Sequence, residues 1–182
     1  MLSKRLRRRI ARIRNPLERK LYFCAVLTRS LRGTRPIIVG GTAVEFYTAG
    51  GYSTRDIDLV CSDREAVVGR LRDYGFEQFG RHFYDEELDL SIEIPGTELA
   101  GDESRVRKVI VEPKVGLAAY VIGVEDIIVD RLNAYVYWKS GDDGLWAREM
   151  MVLHRDEIDW EYLERRSREE STYHALRELR GR

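Results

Sequence analysis

Apolar residues along the 182-residue chain change their period several times, and each change marks an element. Leu2, Leu6, Ile10 and Ile13 recur at three- and four-residue spacing among arginines, which predicts an amphipathic helix with a basic outer face. Asn15-Pro16 punctuates it, and residues 17–31 resume a helix with Leu21, Val26 and Leu27 among its apolar positions. The β-branched run Pro36-Ile37-Ile38-Val39 predicts a strand, which breaks at Gly40-Gly41-Thr42 before the helix-compatible Ala43, Val44, Glu45 and Phe46. Residues 54–60 alternate with a strand's period of two. Residues 63–74 predict a helix closed by Gly75, and residues 76–83 a strand. Residues 88–94 form a second strictly alternating strand, stopped by Pro95-Gly96. Residues 106–111 and 117–122 predict two more strands. A helix begins near Val124, with Glu125 and Asp126 suited to its positive end and Ile128, Leu132, Tyr135 and Val136 as its buried stripe. Residues 140–144 read as a turn, followed by helices over 145–154 and 160–168 and a last one from Thr172, with Asp159 and Ser171 or Thr172 as N-caps.

Two stretches carry candidate chemistry. In Asp56-Ile57-Asp58 the strand period puts both carboxylates on one face, about 6–7 Å apart by backbone rise, with Ile57 and Leu59 on the other. Two like charges at that spacing repel unless a cation or water screens them, and magnesium, which takes hard oxygen ligands, is the natural third party. A solvated edge-strand face is the plainer reading of this pair. At Gly40-Gly41 a phosphate can approach backbone N–H groups closely because no Cβ intervenes. A third carboxylate for a two-metal site must come from residues 88–94, where Asp89, Ser91 and Glu93 share a face; periodicity does not choose between Asp89 and Glu93.

Composition narrows the class. Formal net charge is zero, so bulk electrostatics favours neither nucleic acid nor membrane, yet residues 1–20 hold nine Lys and Arg against one acid, Glu18. That arm reads either as a charged face docked on the core or as a contact for a phosphate backbone. Cys24 and Cys61 are the only cysteines, without metal or disulfide spacing, so a reducing cytoplasm is expected. No apolar run approaches membrane-spanning length. His82, His154 and His174 are scattered singly and read as core or surface histidines, and Trp138, Trp146 and Trp160 as core rather than nucleobase platforms.

An apolar strand, Gly40-Gly41-Thr42, a helix-length spacer and Thr54-Arg55-Asp56-Ile57-Asp58-Leu59 together resemble the signature of the nucleotidyltransferase superfamily, the fold of DNA polymerase beta. Within it the chain is similar to small prokaryotic members that include AbiEii-type toxins. The resemblance runs from about Pro36 to Leu179 and implies an α/β (α+β) fold, a small mixed sheet flanked by helices with a helical carboxyl-terminal segment. The expected segments are 1–35 (basic helices packed on the core), 36–123 (catalytic core) and 124–182 (helical). In that family the third acid stands in an apolar-Glu-apolar-Pro context before Leu-Ala-x-Gly-Asp, which Ile92-Glu93-Ile94-Pro95 and Leu99-Ala100-Gly101-Asp102 match, so the resemblance selects Glu93.

The implied activity is transfer of a nucleoside monophosphate from a nucleoside triphosphate to an acceptor hydroxyl of RNA, such as tRNA, or protein, releasing pyrophosphate. Asp56, Asp58 and Glu93 would be both catalytic residues and ligands of two Mg2+ ions, with Mn2+ as an alternative. Gly40, Gly41, Thr42, Arg55 and Arg131 would bind the nucleotide, Arg131 as a phosphate clamp on the carboxyl-terminal helix; an ordinary ion pair is its plainer reading. A toxin–antitoxin role with a cognate antitoxin is a further implication. Two other classes fit the same residues: an inactive protein of this fold that binds RNA or a partner, and a nucleic-acid module led by the basic amino-terminal helix.

Overall fold

The computed structural model describes residues 2–181; Met1 and Arg182, the outer ends of the expected terminal segments, lie outside them. The chain opens with α1 (Lys4–Ala11) and α2 (Pro16–Ser30). It continues through β1 (Ile37–Val39), α3 (Gly40–Tyr47), β2 (Asp56–Val60), α4 (Arg64–Asp73), β3 (Glu77–Phe79), β4 (His82–Asp85) and β5 (Leu90–Gly96). After β6 (Arg107–Glu112) and β7 (Leu117–Val121) it is helical: α5 (Val124–Tyr137), α6 (Gly141–Leu153), α7 (Trp160–Glu169) and α8 (Tyr173–Arg180). Among the described residues the strands form one mixed sheet in the order β3-β4-β5-β2-β1-β7-β6. The β1/β7 and β2/β5 pairs are parallel and the rest antiparallel.

The expected α/β fold is therefore present, with local differences that have physical causes. Residues 76–83 are not one strand but the end of a loop and a hairpin, because Gly80 takes φ +61° and turns the chain between Phe79 and His82. The alternation of residues 88–94 begins only at Leu90, since Asp89 has φ +50° and its N–H bonds back to Glu86. Residues 141–144 are the first turn of α6 rather than a loop: Ser140 Oγ accepts from the Asp143 N–H. At Gly144 a Cβ would stand 2.6 Å from the Tyr135 ring, so glycine lets α6 press directly onto α5. Trp146 packs edge-on against Tyr52, but Trp138 is 80% exposed and belongs to no core.

One apolar core runs from Ile10 to Leu179 and so draws on all three segments of the chain. Seven consecutive residues of α2, Leu21 to Leu27, are buried, and Ile57, Leu59, Phe83 and Ile92 are fully buried beneath the sheet. The amino-terminal helices are also pinned by charge. Arg7 turns inward to bind both carboxylate oxygens of Asp85 (2.9 and 2.6 Å) and the Tyr74 carbonyl. Lys20, buried in α2, donates to Glu45 of α3 and to the Thr54 carbonyl, both at 2.6 Å. The docked side of the basic arm is thus structural, while Lys4, Arg5, Arg8, Arg12 and Arg14 remain exposed. Cys24 and Cys61 are both buried and unbonded, and no described helix is long and apolar enough to cross a membrane.

Candidate active site

β2 and β5 lie side by side and parallel, with Asp58 opposite Glu93 and Asp56 opposite Ser91. Residues in register share a face of the sheet, so Asp56, Asp58 and Glu93 stand together on the side away from Ile57, Leu59 and Ile92. Asp89, the alternative that periodicity left open, is exposed in the turn before β5 and paired to Arg19 at 2.7 Å.

The glycine bend lies directly against these acids. β1 pairs with β2 so that Val39 faces Asp58, and α3 begins at the next residue. Gly40 has φ +55°, and a Cβ there would lie 2.3 Å from Asp58 Oδ2. The Gly41 N–H donates to that same oxygen at 3.3 Å. The preceding Val39 supplies no side-chain cap, so the Asp58 carboxylate occupies the capping place at the positive end of α3. Thr42 is fully buried, and its hydroxyl donates to the Asp56 carbonyl at 2.9 Å. It fastens α3 to β2, which leaves that hydroxyl engaged inside the fold rather than presented to a phosphate.

The two predicted arginines differ. Arg55 is exposed next to Asp56 and joins no ion pair among the described residues. Arg131 on α5 is mostly buried between Asp143 (2.7 Å) and Asp130 (3.1 Å), the ion pair of its plainer reading. Its positive charge also reaches Asp58, whose carboxyl it helps to ionise.

Two residues not assigned to the site from the sequence stand in this group, one of them His82, expected as a core or surface histidine. His82 begins β4 in register with Glu93, and its buried, unbonded Nδ1 lies 3.9 Å from both Asp56 Oδ1 and Glu93 Oε2. Arg81, in the hairpin turn, places Nε 3.2 Å from Glu93 Oε1. The signal was present in the alternation of His82 and Tyr84 after Gly80, but it was masked by reading 76–83 as a single strand.

Burial raises the affinity of Asp58 for a proton; the Gly41 N–H opposes this, the charges of Glu93 and Asp56 add to it, and Arg131 opposes it again. Three carboxylates of which one is strained toward protonation make a donor set chemically suited to a hard divalent cation. Their side chains do not converge into a ready-made cage: among the described residues no group of three His, Cys, Asp or Glu is gathered as an ion site.

Comparisons with known proteins bear on the family and the fold. The profile of a family described as "Nucleotidyltransferase of unknown function (DUF6036)" matches residues 23–182. A search of curated proteins finds no match. Among solved structures, an antigenic nucleotidyltransferase-like protein from Paracoccidioides brasiliensis is 17% identical with a TM-score of 0.56, covering 75% of this chain and 74% of that one. The antibiotic-resistance factor ANT(2'')-Ia is 17% identical with a TM-score of 0.53, covering 87% and 94%. The same factor in complex with adenylyl-2''-tobramycin is 14% identical with a TM-score of 0.54, covering 84% and 95%. At these identities the likeness is one of fold. The matches stand at the level of nucleotidyltransferases, and the AbiEii branch remains an expectation from the sequence.

Proposed function

The chain belongs to this family of nucleotidyltransferases of unknown function, and from that premise we propose that it transfers a nucleoside monophosphate from a nucleoside triphosphate to an acceptor hydroxyl. The acceptor oxygen attacks the α-phosphorus, the bond to the β-phosphate breaks, pyrophosphate leaves, and the hydroxyl proton passes to a base or to water. The observation that carries this reading is the meeting of Asp58 with the Gly40-Gly41 bend: one carboxylate touches the start of α3 and faces Glu93 across the sheet, with Asp56 beside it.

Asp56, Asp58 and Glu93 would hold divalent magnesium. When bound, such ions lower the pKa of the attacking hydroxyl and neutralise charge on the departing pyrophosphate. The chain's own groups then have separable tasks. The half-exposed Gly40-Gly41 bend gives the triphosphate a close backbone approach at a helix start, where negative charge is favoured. Thr42 keeps that bend fixed to β2. Arg55 is a free cation for the phosphates, and Arg131, held in place by two carboxylates, supplies fixed positive charge near Asp58. Glu93 would take the acceptor's proton.

The test is incubation of the protein with each labelled nucleoside triphosphate, magnesium, and total RNA, total protein or small-molecule extract as acceptor. Label is expected to move to one acceptor class and to fall by at least about a thousandfold in Asp58→Ala. A folded wild type that moves no label under any of these conditions would overturn the reading.

A further inference from the structure

The acceptor side of this face has a composition of its own. Cross-strand register places Phe79, His82, Glu93 and Asp58 in one row from the sheet's edge inward. A second row, two residues along, holds Glu77, Tyr84, Ser91 and Asp56. Phe79, Tyr84 and His82 therefore share the face of the three acids. Phe79 is 63% exposed on the short edge strand β3, where no packing requirement accounts for an aromatic ring, and Tyr84 is half-buried beside it. Arg81, three-quarters exposed, projects from the turn between Phe79 and His82 and already reaches Glu93 at 3.2 Å.

Resting on the nucleotidyl-transfer reading above, we propose that Phe79, Tyr84 and Arg81 form the acceptor platform and that the acceptor is itself a nucleotide: a ribose hydroxyl whose base stacks on the rings and whose phosphate meets Arg81. Three features fit. A flat aromatic surface binds any base through its π-face, and an exposed arginine beside it is the usual companion of such stacking. The distance is suitable, because neighbouring strands lie about 4.8 Å apart and Phe79 is two strands from Glu93, roughly 10 Å and within the span of one nucleotide. His82, 3.9 Å from both Asp56 and Glu93, makes the aromatic surface continuous with the acids.

The same chemistry can come from the end of a single-stranded RNA or from a free nucleotide, and a binding experiment separates them. A fluorescent single-stranded oligoribonucleotide with a free 3'-hydroxyl and, separately, a nucleoside monophosphate are titrated against the full chain with magnesium and a non-hydrolysable nucleoside triphosphate. The analogue carries no cleavable bond between its α- and β-phosphates, so that binding to the otherwise intact site is read without chemistry. The expected result is measurable binding, about tenfold weaker in Phe79→Ala, restored in Phe79→Trp, and weakened in Arg81→Ala with a reduced salt dependence. Binding of the oligonucleotide alone would assign an RNA end; binding of both would assign any nucleotide. Equal affinity of wild-type and Phe79→Ala side chains, or binding of neither probe, would overturn the proposal. The transfer assay fails independently: label moving to an acceptor whose KM is untouched by Phe79→Ala would sink the platform and leave the enzyme standing.

Discussion

Asp58 and Asp126 are both acids placed where burial pushes their proton affinity up, and their surroundings answer that pressure in opposite ways. Asp126 is 1% exposed at the start of α5, where the charge of its neighbour Glu125 is outweighed by donors: the Tyr162 hydroxyl at 2.7 Å, the Asp102 N–H at 3.0 Å, and Arg166 at 3.7 Å. It ties the 99–102 loop, α5 and α7 into one knot. Asp58 receives a single backbone N–H at 3.3 Å and is flanked by two further acids. A closed carboxylate holds a fold together, whereas one left under-compensated beside like charges is waiting for a positive partner. Burial pushes the proton affinity of both in the same direction, and the count of donors around each separates them.

The largest effect expected from this contrast is a crossed pair of outcomes. Asp126→Ala orphans a buried hydroxyl and a backbone N–H at once, while Arg166 keeps Glu169 and Glu170, and should cost about 2–4 kcal/mol of stability in urea unfolding. Asp58→Ala should leave the unfolding midpoint at or above the wild-type value while transfer is lost. Similar destabilisation by both substitutions would dissolve the distinction between the two acids.

A smaller effect tests whether the bend and the acid act as one unit. Gly40→Ala puts a methyl group 2.3 Å from Asp58 Oδ2 and strains a residue at φ +55°. The expected outcome is a loss of about 2 kcal/mol in thermal unfolding together with at least a hundredfold loss of transfer, because Asp58 must move. Full activity in a destabilised Gly40→Ala protein would show that the bend serves folding only.

The same contrast explains what could be read from the chain beforehand. Asp56 and Asp58 were legible because the strand period alone fixes their common face, and the glycines, by themselves most often just a turn, because they precede that strand by one helix-length spacer. Glu93 became legible only through family likeness. Asp89 shares its alternation, and the left-handed backbone that removes Asp89 from β5 leaves no mark in a hydrophobic pattern. His82 reads from the sequence as an isolated core or surface histidine, because the strand-forming run around it hides the turn at Gly80 that sets it opposite Glu93. Asp126 was read as a favourable charge at a helix start, but its donors come from residues 24 and 36 positions away. Arg7 is a parallel case, since its inward turn is set by Asp85, 78 residues away. Local period fixes faces; partners brought in by topology fix roles.

The smallest effect is the most pointed, because it concerns the charge of Asp58 itself. Its native proton affinity lies above the ordinary carboxyl value of 3.8, so in the window just above pH 4 the native state holds a proton that the unfolded chain has released. Stability is therefore fully present below that ordinary value and falls as pH rises through the native one, levelling off once Asp58 is charged in both states. Asp58→Asn keeps an oxygen to accept the Gly41 N–H and removes the charge, so the decline should vanish. The variant should match the wild type near pH 4 and exceed it at pH 7, read as thermal midpoints across a buffer series. Magnesium should narrow the gap by stabilising the wild type more than the variant, which keeps Asp56 and Glu93 but loses the third charged group. A variant no more stable than wild type at pH 7 would mean that Asp58 is as well compensated as Asp126 after all, and the reasoning that marks it as the open acid of the pair would fail at its source.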